Sequence, residues 1–289
     1  CEVESMKKNV LFVSSEAVPF IKTGGLADVA GSLPKYFDKE RYDVRVMLPK
    51  YLCIPEKWRN QMKYVTHFYM DLAWRSQYVG VLEMEYAGVH YYFIDNEFYF
   101  AGPKPYGYIH EDIEKFAFFS KAALSAMPLL NFKPDIVHCH DWQTGLVPVY
   151  MKERFHDGEF FRDMKSIMTI HNLKFQGIWD LKKVKDITGL PPYFFTSDKL
   201  EAYGDANYLK GGIVYADAVT TVSESYAQEI KTPFYGEHLD GLMRARSNCL
   251  TGIVNGIDYD EFNPETDKRI VANYNQKTFR KEKGKNKKA

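Results

Sequence analysis

Short runs of apolar and β-branched residues recur along most of the chain. Each is closed by a polar or glycine-rich cluster and then by a segment of helical periodicity, and few architectures accept that alternation. Residues 9–14 (Asn-Val-Leu-Phe-Val-Ser) form the first run. Gly24 and Gly25 then precede residues 26–37, where Leu26, Val29, Ala30, Leu33 and Phe37 recur at helical spacing. Residues 42–48 are a second apolar run, so the chain opens strand, glycine loop, helix, strand, as a parallel α/β sheet begins. The rhythm resumes later, with strands expected at 135–138, 166–170, 218–222 and 250–255 and helices at 142–155, 206–216 and 223–231. Residues 64–95 read differently, as antiparallel strands or an inserted hairpin. Residues 98–108 read as an aromatic, Gly- and Pro-rich loop, and 111–130 as a helix. The expected fold is α/β, a Rossmann-like doubly wound and mostly parallel sheet with an inserted antiparallel hairpin region. One domain is expected over residues 1–260, with 261–289 as a connecting tail.

Charge excludes some partners. Formal net charge is zero, yet residues 271–289 carry seven Lys/Arg and one Glu, leaving the rest of the chain at −6. An acidic body lacks the basic face that nucleic acid requires, and the basic tail reads as a solvated terminus. Apolar runs stay far below the ~18–20 residues of a membrane helix, so no membrane partner is expected. Cys1, Cys53, Cys139 and Cys249 are widely spaced and form no CxxC pair, the usage of a reduced, cytoplasmic protein. Aromatic residues reach 16%, which suits either a Tyr-rich core or a surface that stacks on pyranose rings.

In doubly wound sheets ligands sit beyond the carboxyl ends of the strands, and the polar clusters of this chain fall there. After the first strand comes Lys22-Thr23-Gly24-Gly25, with Asp28 one turn into the helix. Glycines let a ligand approach the backbone, free helix-start amides favour an anion, and Lys22 adds charge. The loop matches neither GxGxxG nor GxxxxGK, which argues against a nicotinamide dehydrogenase or a P-loop enzyme. His138-Cys-His-Asp-Trp142 resembles a zinc cluster, but strand alternation puts Cys139 opposite the two histidines and no second ligand pair follows. No metal is expected; Asp141 beside a stacking Trp142 suits a sugar better. His171, Asn172 and Gln176 follow the next strand and offer hydrogen bonds to hydroxyls. Asn207 opens a helix carrying the pair Gly211-Gly212, a pattern expected from close packing or ligand approach.

Together these segments resemble a known family. Val13-Ser-Ser-Glu-Ala-Val-Pro-Phe-Ile-Lys-Thr-Gly-Gly-Leu-Ala-Asp-Val29 is similar to the opening of bacterial glycogen synthases and plant starch synthases, glycosyltransferase family five. His138–Trp142 resembles the family's H-x-H-D-W, and His171–Gly177 its H-N-x-x-x-Q-G. Asn207–Gly212, Thr221-Val-Ser223 and Val254-Asn-Gly-Ile-Asp258 follow in the family's order, so the resemblance spans residues 9–267.

The resemblance implies a two-domain transferase with its active site between the domains. The implied reaction is metal-independent and anomer-retaining, from ADP-glucose to the 4-hydroxyl of an α-1,4-glucan, with no cofactor. By the same resemblance Lys22, Thr23, Gly24 and Gly25 approach the diphosphate and glucose. Asp28, Asp141 and Asn172 bind hydroxyls or order the cleft. His171 contacts the transferred glucose and its carbonyl faces developing oxocarbenium charge. Asn207 bonds the sugar, and Tyr106 matches a tyrosine of nucleotide-sugar binding. The family's nucleotide-binding C-terminal domain lies beyond these residues, so the chain alone is expected to be inactive. A glucan-binding module without catalysis and a related transferase such as sucrose synthase are the rival readings.

Overall fold

A computed structural model describes residues 7–155 and 157–289. The first strand, β1 (Lys8–Val13), is apolar and ends fully buried. After it come α1 (Gly25–Ser32), β2 (Tyr42–Pro49), a single turn α2 (Glu56–Arg59), β3 (Lys63–Leu72), β4 (Arg75–Tyr86), β5 (Val89–Asp95) and a second turn α3 (Glu97–Phe100). The long α4 (Ile109–Ala126) leads to β6 (Ile136–His140), α5 (Leu146–Tyr150) and β7 (Lys165–Ile170). Then β8 (Ile178–Asp180), α6 (Leu181–Thr188), β9 (Glu201–Ala202) and β10 (Asp205–Asn207) precede α7 (Tyr208–Tyr215), β11 (Ala218–Thr221), α8 (Glu224–Glu229), α9 (Asp240–Ala245) and β12 (Leu250–Gly252).

Nine strands form one sheet in the order β12-β11-β7-β6-β1-β2-β5-β4-β3. The seven from β12 to β5 run parallel. The 64–95 region is no separate hairpin: β4 pairs antiparallel with β5 and β3 with β4, so it widens the main sheet at one edge. Strand order reverses between β1 and β6, because the chain builds outward from β1 through β2 and returns to add β6 on its other side. That reversal opens a crevice at the carboxyl ends of β1 and β6. The small sheet β8-β10-β9 is antiparallel.

Several helices are shorter than their periodicity predicts, for local reasons. Pro34 ends α1, and residues Leu33–Tyr36 tighten into a 3₁₀ turn. Residues 142–155, expected as one helix, are a 3₁₀ turn (Trp142–Thr144), α5 and a π-helical turn (Met151–Phe155), with Pro148 in the middle. The helix expected at 206–216 starts at Tyr208, because Asp205–Asn207 pair in a strand. Its glycine pair serves packing. A Cβ on Gly212 would lie 2.5 Å from Met168 Cε and 3.0 Å from Gly145 Cα, and one on Gly211 3.0 Å from Leu200 Cγ. α5 and α7 thereby approach closely enough to bury Val149, Leu209 and Ile213.

Among the described residues, those up to Val254 form one compact unit and Asn255–Ala289 a second. In the second, Arg269 bonds Asp267 and Glu261, and the Asn286 amide pairs both ways with the backbone of Ala272 at 2.8 Å. Its basic end forms α10 (Phe279–Lys288), none of whose residues is buried. Cys53, Cys139 and Cys249 are free thiols, and Cys1 lies outside the described residues. Among the described residues no helix is long and apolar enough to cross a membrane.

Candidate active site

The segment after β1 folds back on a buried carboxylate. Phe20 plugs a pocket of Trp58, Tyr86, Tyr91 and Phe93 rings and anchors the excursion. Glu16, 3% exposed, accepts hydrogen bonds from the Thr23 amide, the Thr23 hydroxyl at 2.6 Å and the Tyr106 hydroxyl. Tyr106 also meets Ser15 Oγ at 2.8 Å, and burial, then Tyr51 and Glu16, raise its pKa far above the ordinary phenol range. Glu16 therefore ties the glycine loop to the loop that carries Tyr106, which is shorter than the expected 98–108 because residues up to Phe100 are the helical turn α3. Sequence reasoning missed it, although it stands inside the Val13–Val29 string, because its partners lie 7 and 90 positions away.

Held this way, Lys22, Thr23, Gly24 and Gly25 are exposed at the start of α1. No side chain caps that helix start. Asp28 does not cap it either: it pairs with Lys22 at 2.7 Å, a surface contact of small net energy. A Cβ on Gly24 or Gly25 would meet no atom within 4 Å, and Gly24 has an extended backbone (φ −152°) that any residue adopts. Neither packing nor backbone geometry inside the chain demands glycine at this pair. Uncapped amides, a lysine and open space are what an anionic ligand approaching the backbone requires.

Across the crevice, Asp141 follows β6 with φ 56° and ψ −173°, a conformation unfavourable to a residue with a Cβ. Its Oδ1 accepts from the His171 amide at 2.7 Å, with a longer contact to the Asn172 amide at 3.5 Å, binding the end of β6 to the end of β7. Burial pushes its carboxyl up to about 7, against those two amides, which lower it, and with Glu16 adding to the rise. His138, His140 and His171 form a neutral array. Rings 138 and 140 stack at 4.3 Å, and His140 Nδ1 lies 3.0 Å from His171 Nε2. Burial, first of all, lowers His171 to about 4 and His138 to about 3 and takes His140 well below its ordinary range. His138 Nε2 in turn meets Thr169 Oγ1 at 2.6 Å. Asn172 is exposed, its Oδ1 accepting from the Lys174 amide.

The remaining candidates lie behind this surface. Trp142 is not a stacking platform: it is 7% exposed, edge-on to Phe116 at 5.2 Å and beside Tyr208. Gly177, with φ +65°, covers its ring so closely that a Cβ would come within 2.3 Å. Asn207, 1% exposed, caps α7 by accepting from the Lys210 amide and donates to Gln176 Oε1 at 2.6 Å. Gln176 donates to the carbonyls of Leu173 and Glu237 at 3.0 and 2.9 Å. Both amides thus brace the loop beneath His171 rather than face open space. The structure brings Lys22, Thr23, Gly24, Gly25 and Asp28 together on one side, Asp141, His171 and Asn172 on the other, and Tyr106 behind the first.

A doubly wound α/β sheet with a histidine–aspartate cluster and an open glycine loop at its switch point defines a Rossmann-like domain with a candidate ligand crevice. A family model, the starch synthase catalytic domain, matches residues 9–245, and the chain belongs to that family. It is 80% identical over 280 residues to a glycogen synthase of Lachnospira eligens, covering 97% of this chain and 59% of that protein. It is 67% identical over 282 residues to a glycogen synthase of Lachnoclostridium phytofermentans, covering 98% and 59%. The catalytic domain of starch synthase IV from Arabidopsis thaliana, solved with ADP and acarbose, superposes with a TM-score of 0.85 at 29% identity, covering 94% of this chain and 56% of that one. The chain thus spans under two thirds of the length of the curated relatives it matches.

Proposed function

We propose that this chain supplies the N-terminal, acceptor side of a glycogen synthase, a glycosyltransferase that moves glucose from ADP-glucose to the non-reducing-end 4-hydroxyl of an α-1,4-glucan with retention of the anomer. The observation that carries this reading is the Gly24–Gly25 pair, whose missing side chains serve nothing inside the protein. The names of the relatives support the glucan, and the ADP bound to the starch synthase IV catalytic domain supports the nucleotide.

In this reading the amides at the start of α1 and Lys22 face the diphosphate, whose charge grows as the glycosidic bond breaks. Thr23 and Asp28 order that loop. His171, with Asn172, lies against the transferred glucose, and its carbonyl faces the developing oxocarbenium charge. Asp141, through the His171 amide, sets where that residue stands. Gln176, Asn207 and Trp142 support the floor of the sugar site, and Tyr106 the nucleotide-sugar side. Residues 1–260 act as the domain and 261–289 as the connection to the nucleotide-binding domain. The free thiols fit a cytoplasmic location.

The test is glucose transfer from labelled ADP-glucose to glycogen, by the full-length gene product, its His171→Ala variant and the 289-residue chain. Transfer by the first, with its collapse in His171→Ala, supports the reading. A well-folded full-length protein that transfers from no nucleotide-glucose, yet retains maltooligosaccharide, would leave a glucan-binding module as the better account.

A further inference from the structure

His140 is completely buried, and its ring lies 5.1 Å from that of Phe12 and 4.3 Å from that of His138. Its two nitrogens have unlike surroundings. Nδ1 faces His171 Nε2 at 3.0 Å, whereas Nε2 is buried with no hydrogen-bond partner among the described residues. Two neutral imidazoles sharing one hydrogen bond hold one proton between the facing nitrogens, so one ring donates and the other accepts. If His140 accepted, its own proton would sit on Nε2 as a buried donor without a partner. Orphaned buried N–H groups are rarer than under-satisfied acceptors. If His140 donates from Nδ1, only a lone pair is left bare against the aromatic wall.

We propose that His140 is a positioning residue that fixes the tautomer of His171 by donating from its Nδ1 to His171 Nε2. His171 then carries its proton on Nδ1, the one ring donor it has left. With Nε2 occupied as an acceptor, His171 binds a hydroxyl by donation and does not serve as a general base. The inference about substrate rests on the placement of the glucose at His171 proposed above; the tautomer itself does not. Lowered proton affinity of all three rings keeps the array neutral in the ordinary pH range. Strand register fixes the contact: β6 and β7 pair in parallel with His140 opposite Thr169, which places His171 two residues beyond the end of the ladder.

Heteronuclear NMR of isotope-labelled histidine in this chain reads the tautomer directly, because a protonated ring nitrogen and a bare one differ widely in shift. The expected result is a protonated Nδ1 and a bare Nε2 at His171. In His140→Phe that pattern is lost, and in His140→Asn, whose amide nitrogen takes the place of the imidazole Nδ1, it is kept. A protonated Nε2 at His171 in the parent chain overturns the proposal, as does an unchanged pattern in His140→Phe. The parent spectrum decides even if a variant fails to fold. Failure of the synthase reading has a different signature: no turnover by the full-length protein, with the His171 tautomer as expected.

Discussion

Asp141 Oδ1 and the His171 amide nitrogen stand 2.7 Å apart, joining the ends of two neighbouring parallel strands through a carboxylate held in a strained backbone conformation. Strain of this kind, on the order of 1–3 kcal/mol, persists where the surroundings leave no alternative. Here the surroundings are the buried ends of β6 and β7 and the turn locked by Thr144, whose hydroxyl accepts from the His140 amide at 2.7 Å.

The buried cluster makes stability depend on pH in two opposed ways. Asp141 is raised from 3.8 to about 7, so the folded state holds a proton the unfolded state releases; that contribution is full below pH ~4 and lost as pH rises through 7. The three histidines are lowered from 6.5, so their contribution is full above that value and lost as pH falls. Between about pH 5 and 6 the unfolded state binds roughly two more protons than the folded state through these four groups. Stability therefore rises with pH at up to about 3 kcal/mol per pH unit from this cluster. In Asp141→Asn the opposing proton is gone and the rise steepens over the same window. Denaturant titrations of the chain and the variant across pH 4.5–7.5, at roughly half-unit steps, check this; parallel curves would refute it.

Gly24→Ala and Gly177→Ala separate function from stability. The first adds a methyl where nothing lies within 4 Å and should change unfolding free energy by no more than about 0.5 kcal/mol. Transfer by the full-length protein should nonetheless fall by about a hundredfold, the scale of a misplacement of roughly 1 Å at a reacting centre. Gly177→Ala drives a Cβ into the Trp142 ring at a left-handed backbone position and should destabilise by about 3 kcal/mol or more. Calorimetry of both variants with an activity assay decides; full activity in Gly24→Ala removes the main support for the ligand loop.

Glu16→Gln exchanges a carboxylate for an amide among three donors. One acceptor oxygen remains and a new N–H faces the Thr23 or Tyr106 group. The expected loss is about 2–3 kcal/mol of stability, larger than the ~1 kcal/mol of Tyr106→Phe, which removes a single hydroxyl. If the two variants unfold at the same temperature, Glu16 does not organise the loop as described.

Gln176 and Asn207 meet at 2.6 Å and are both buried. Alanine substitutions at the two positions should be non-additive, with a coupling energy of about 1 kcal/mol in a double-mutant cycle. Additive effects would mean that each amide is held by the backbone alone.

The alternation of strand, polar cluster and helix was legible in the sequence, because period-2 and period-3.6 patterns are local properties of residues a few positions apart. The ends of β1, β6 and β7 could be placed that way, and with them the glycine loop, Asp141, His171 and Asn172. The family could be read from six short strings in order. Tertiary structure alone decided what each side chain faces. Trp142 and Asn207 carry the residue types of a sugar site, yet Gly177 covers one and Gln176 binds the other. Both contacts join segments at least 31 positions apart. Nothing local marks Glu16 as buried: its partners Thr23 and Tyr106 lie 7 and 90 positions away, and the neutrality of three histidines follows from burial, which no local pattern reports. Periodicity says which way a side chain points from its own element; what it meets there depends on how distant elements pack, and in this protein that packing separates the residues open to a ligand from those that hold them in place.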